Sequence, residues 1–167
     1  MRTATAALLA LLVAAPLVAA DRGPSTPEER EKAVKITRML EKDPLNPKAR
    51  DARAWLVAWT IAVPDITVDM CSHFVGGVQK VRKFPHEAEI IVQTGWGQLA
   101  YQIEHAGAKP DDEATFVAGV ESALKAYESI LSTEPKSRVP FLDDLVVKRD
   151  KGELAAFVHE NISGCRK

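Results

Sequence analysis

Little in this chain announces a chemistry. It has two cysteines, Cys71 and Cys165, in 167 residues. A Cys-x-x-Cys redox pair, a four-ligand zinc ribbon and a Cys-x-x-Cys-His haem attachment are therefore excluded. In an oxidising compartment two thiols allow one intramolecular pairing, so a Cys71–Cys165 disulfide is expected. It would close a loop of roughly 90-odd residues, worth about 4–5 kcal/mol at most by chain entropy, and would tie the frayed end of the chain to its middle. A reactive thiol or a soft-metal site is the functional alternative, and no Cys-x-x-Cys spacing supports either.

A surplus of one charge is also missing. Lys and Arg number 22 against 23 Asp and Glu, a formal net charge of -1. Nucleic-acid binders show a basic surplus or stripe. Here the two signs are interleaved along each expected helix, which reads as a solvated surface with no nucleic-acid partner. Catalytic signatures are absent too. There is no Gly-x-Ser-x-Gly elbow, and Gly76-Gly77 leads into Val78-Gln79-Lys80, which is not a phosphate loop. His86-Glu87-Ala88-Glu89 lacks the second histidine of a zinc-protease helix, since position 90 is Ile. No Glu-x-x-His spacing of a di-metal bundle occurs. These absences leave no expected catalytic residue and no expected cofactor.

What is present begins with an address. Met1-Arg2 precedes an Ala/Leu run, then Pro16 and the small residues Val18-Ala19-Ala20. A basic start, an apolar stretch and a small-residue end make residues 1–20 a cleavable signal peptide. A bilayer-spanning helix needs about 20 apolar residues, and this run is interrupted by Pro16 and closed by Asp21-Arg22. The expected product is exported to the periplasm or the extracellular space, with no stable membrane insertion after cleavage. A bacterial source suits so short and Ala-rich a leader. Cleavage removes one Arg and no acid, moving the net charge from -1 to -2.

Residues 21–25 read as a flexible leader, and 26–167 as one helical domain. Apolar residues recur at three- and four-residue spacing, Pro or Gly punctuates the chain at helix-length intervals, and no segment alternates with period two. The expected class is all-α, a small bundle of about five to seven helices. Thr26-Pro27-Glu28-Glu29 is a capping box with Pro at the first helical position, opening a helix to about Glu41 with Ala33, Ile36, Thr37 and Leu40 inward. Asn46 and Pro47 open the second, whose inner face carries Trp55, Leu56 and Trp59 and which Pro64 ends. Residues 65–74 read as a short helix and 78–84 as a basic loop. The helix from Pro85 has Ala88, Ile91, Val92, Gly95, Trp96, Leu99, Ile103 and Ala106 inward, its two glycines reading as a close crossing with another helix. From Pro110 to Thr133 a continuous stripe runs through Phe116, Val120, Leu124, Tyr127 and Ile130. Shorter helices follow from Pro140, holding Phe141, Leu142, Leu145 and Val146, and from Glu153, containing Leu154, Phe157 and Val158.

Ala123-Leu-Lys-Ala-Tyr-Glu-Ser-Ile-Leu-Ser-Thr-Glu-Pro135 resembles the second helix of a tetratricopeptide repeat, with Ala123, Tyr127, Ile130 and Pro135 at the fitting offsets. Leu40 to Pro47 is similar to the connection between such repeats. The resemblance covers one half-repeat and implies helical hairpins; it carries over no site residues.

Two functional readings follow. The first is a non-catalytic module that binds or scaffolds a protein or peptide, in a groove among the second helix, the helix from Pro85 and the helix from Pro110. The second is a small metal-binding protein or enzyme built on His73 with Asp69, and with His105 as a further candidate. On a helix over 65–74, Asp65, Asp69 and His73 would share one face, but a usable site needs further ligands. Trp55, Trp59 and Trp96 read as core residues; an exposed one beside an apolar patch would mark a binding surface. Nothing in the sequence specifies an oligomeric state.

Overall fold

The computed structural model describes residues 22–81 and 84–165, with Ser72 described by its backbone alone. The expected signal peptide lies outside the described residues. Among those residues there are six α-helices and no strand: α1 Pro27–Lys42, α2 Ala49–Ala62, α3 Glu87–Glu104, α4 Glu113–Thr133, α5 Pro140–Asp150 and α6 Leu154–Asn161. Three 3-10 turns, Ser72–Phe74, Gly76–Lys80 and Ile162–Gly164, complete the order. The chain is all-α.

Local chemistry sets most of the boundaries. The Thr26 hydroxyl accepts from the Glu29 N–H at 3.3 Å while the Glu29 carboxylate accepts from the Thr26 N–H at 3.0 Å, closing the capping box. Asn46 caps a turn and not the helix itself: its side-chain oxygen accepts from Lys48 N–H at 2.9 Å, and α2 begins at Ala49. Gly107 and Gly152 supply the left-handed turns after α3 and α5, at φ 88° and 74°. The stretch read as a loose leader is tied down at its end, because Ser25 is buried and bonds Asp65 through both its N–H and its hydroxyl at 2.8 Å.

α3 and α4 form the central antiparallel hairpin. Their closeness depends on glycine. A Cβ on Gly97 would collide with the Ser122 side chain and come within 2.7 Å of the Ala118 carbonyl oxygen and 2.9 Å of the Gly119 Cα. One on Gly119 would lie 2.6 Å from the Thr94 carbonyl oxygen. Two apolar clusters flank this crossing. Ala33, Leu40, Leu56, Trp59, Trp96 and Leu99 join α1, α2 and α3. Phe74, Ile90, Phe116, Leu124, Tyr127, Leu142 and Val158 join α4, α5, α6 and the 3-10 turns.

Where α1, α3 and α4 meet, the buried side chains are polar. The Gln93 amide donates to the Ser122 hydroxyl at 2.9 Å, and that hydroxyl donates to the Glu41 carboxylate at 2.7 Å. Arg38 donates to the same Glu41 oxygen at 2.5 Å and to Glu104 at 2.6 Å. Burial by itself lowers the pKa of the Arg38 guanidinium, but Glu41 and Glu104 outweigh it and raise it. A buried carboxylate is costly unless paired and hydrogen-bonded, and here each of its partners comes from a defined helix. On the far side, Tyr127 fixes α5 to α4: its hydroxyl accepts from the Val139 N–H at 2.8 Å and donates to Asp143 at 2.9 Å.

The expected inner face of α3 needs correction. Ala88 and Ala106 are exposed, Ile91, Val92 and Ile103 are half-buried, and residues 93–100 are buried on every side of the helix. Packing from both clusters surrounds its middle, so no single stripe describes it.

Gly97→Ala is predicted to destabilise the protein by about 2–3 kcal/mol in chemical unfolding, although alanine gains about 1 kcal/mol of helix propensity over glycine. Gly76→Ala, whose added Cβ meets nothing within 4 Å, should change stability by less than about 0.5 kcal/mol.

Candidate functional site

The segment after α2 places most of the residues singled out by sequence. Pro64 ends the helix, and residues 66–71 run extended instead of forming the expected helix. Glutamines of α3 hold them there. Gln98 donates to the Asp69 carbonyl at 2.9 Å and accepts from the Asp69 N–H at 3.1 Å, and Gln102 donates to the Thr67 carbonyl at 2.9 Å. Met70 lies across Gly95, where any Cβ would strike its sulfur. Cys71 is then joined to Cys165, with Cα atoms 5.5 Å apart. The bridge seats the last 3-10 turn against the Ser72–Phe74 turn, so that a Cβ on Gly164 would come within 2.8 Å of the His73 ring.

This geometry separates Asp65, Asp69 and His73. Asp65 turns toward α1, where Arg30 donates to it at 2.7 Å. Asp69 meets Gln98 through its backbone, and His73 stands exposed at the surface. The other histidines are dispersed. His86 meets Glu134 at 2.8 Å, His159 meets Glu113 at 2.9 Å, and His105 stacks on Tyr101 with ring centroids 4.0 Å apart. Among the described residues no three His, Cys, Asp or Glu side chains gather as a metal site would require.

His73 instead stands at the mouth of a cleft of about 600 Å³ between the 3-10 turns and the helices α5 and α6. Val81, Pro140, Phe141 and Phe157 give it an apolar wall, while His73, Gln79, Lys80 and Asn161 supply its polar edge. Among the described residues no carboxylate lines it. Gly77 is forced by packing, because a Cβ there would run into the Phe141 ring. Gly76 is not: it lines the cleft and faces open space. A second cleft of about 520 Å³ lies between α1, α3, α4 and α6 and mixes both signs, with Arg38 and Lys125 beside Glu104, Glu113 and Glu121. Neither cleft is lined by α2.

With this geometry in hand, the chain matches no model of a known protein family, no curated protein and no solved structure.

The sequence points to His73 and places Lys80 in a basic stretch, but it puts Phe141 and Phe157 on short helices with no role in a site. Both are half-buried and turn an edge to the cleft.

Asp65 provides a pH test of the tie between α1 and the extended segment. Burial opposes its charge, but hydrogen bonds from the Ser25 N–H and hydroxyl and from Arg30 outweigh this and hold its pKa at about 2, below 3.8. A depressed carboxyl pKa stabilises the fold above about pH 4, and the contribution is lost as pH falls through about 2. Discounted for solvent screening, Asp65→Asn should cost about 1 kcal/mol at pH 7. Urea titrations of the two proteins should converge near pH 2.

Proposed function

We propose that the protein is an exported, non-catalytic helical module that binds a partner peptide, and that the cleft beside His73 receives it. One observation carries this reading. An apolar wall containing two aromatic rings is edged by Lys80, and among the described residues no carboxylate lines it and the Lys80 ammonium has no ion pair. Concave apolar sites with a few convergent polar groups are the usual form of a binding site. A wall of this kind takes an aliphatic or aromatic side chain, and the uncompensated cation adds preference for a neighbouring acid. The partner chemistry is thus an acidic–apolar peptide segment.

Other features support the exported setting. The disulfide is of the kind that persists in oxidising compartments, and no helix among the described residues is long and apolar enough to cross a membrane. The leader-like residues 1–20 agree with both. The tetratricopeptide-like string at Ala123–Pro135 is in keeping with a peptide-binding helical scaffold.

A random-peptide display library panned on the purified protein should enrich segments that pair a large apolar residue with Asp or Glu. Gly76→Trp, which fills the cleft from its open edge, should abolish binding of the enriched peptides with the circular dichroism spectrum unchanged. Lys80→Glu should weaken it about tenfold, the loss of one charge-assisted contact. Enrichment of no motif, or undiminished binding to the Gly76→Trp variant, would contradict the assignment.

A further inference from the structure

Residues Ala54 to Pro64 contain no charged side chain. α2 is therefore apolar on its outer face as well as on the inner one, where Leu56 and Trp59 enter the core. The outer face is formed by Ala54, Val57, Ala58 and Ile61, at the spacing that aligns residues on one side of a helix. All four are exposed, Val57 at 46% and Ile61 at 81%. The C-terminal half of α2 is thus apolar on both faces, and a helix segment of that kind is normally covered.

We propose that a second copy of this chain covers it, with α2 packed antiparallel on α2 about a twofold axis between residues 57 and 58. The order of large and small residues supplies the reason. This pairing sets Ile61 of each copy against Ala54 of the other, and Val57 against Ala58, so each bulky side chain faces a methyl group. One face is thereby complementary to itself, as an isologous interface requires. A parallel arrangement would set Ile61 on Ile61 and Val57 on Val57, leaving the alanines to face each other across a gap. With no charged group between positions 54 and 64, the contact brings no like charges together. Four short side chains fall well below the roughly 800 Å² per partner of a tight complex, so the association is weak and concentration-dependent. It is independent of the cleft beside His73, whose lining includes no residue of α2.

Sedimentation velocity on the purified protein, from about ten micromolar to about one millimolar, should show the mass rising toward twice that of the monomer. Ile61→Glu should stay monomeric across the range with unchanged helix content and melting. The register is tested by mixing: Ile61→Glu and Ala54→Lys, each associating less than wild type alone, should associate more strongly together, because the pairing places the two substitutions opposite one another. Wild type that stays monomeric throughout overturns the proposal. So does Ile61→Glu associating like wild type, or a mixture no stronger than its parts.

Discussion

The close crossing of α3 on α4 is the constraint on which the rest of the fold depends. Two glycines, Gly97 and Gly119, remove the side chains that would hold the helices apart. α1 enters at the side, bringing Glu41 to a hydroxyl on α4 that also receives the Gln93 amide of α3. Three helices thus converge on one hydrogen-bonded chain of side chains. Each group in it is buried or half-buried, so each is costly unless its partners are in place. Such a network favours one mutual arrangement of the helices over the alternatives that greasy packing alone would tolerate.

The surface follows from this interior. Because α3 is enclosed along its middle, its glutamines serve as inward clamps, and Gln98 and Gln102 lay residues 66–71 along the helix as an extended strap. The strap delivers Cys71 to Cys165, and the bridge brings the end of the chain against His73. The cleft therefore has walls from the middle and the end of the sequence, packed on one apolar cluster and tied by the disulfide. Among the described residues its Lys80 has no ion pair, in contrast with Arg30, Arg38 and Arg149, whose guanidinium groups are all taken up by carboxylates.

Much of the fold was legible in the sequence because it rests on local chemistry. The capping box at Thr26, the prolines at positions 27 and 140 and the stripe from Phe116 to Ile130 each act within a few residues, and each helix lies close to where those signals put it. The failures occurred where distant contacts decide. Residues 65–74 carry no strong breaker after Pro64, and contacts from distant positions hold them out of an α-helix: Ser25 on Asp65, the glutamines of α3 on Thr67 and Asp69, and Cys165 on Cys71. In α3 itself, Gln93, Thr94 and Gln98 look like solvent-facing residues, and their burial follows from the helix crossing that the glycines signal, which holds at Gly97 while Gly95 faces Met70. The cleft was hidden for the same reason: His73, Lys80, Phe141 and Phe157 are joined by tertiary packing alone.

Native-state hydrogen exchange tests the central claim directly, namely that the α3–α4 crossing and its polar chain bind the two apolar clusters into one cooperative unit. Amides of α1 that face Trp96 and amides of α4 that face Leu142 should share the same opening free energy, equal to that of global unfolding. Glu41→Ala should lower both together. If α1 and α2 instead open at a distinctly lower free energy while α4, α5 and α6 stay protected, the clusters are separate units and the account fails.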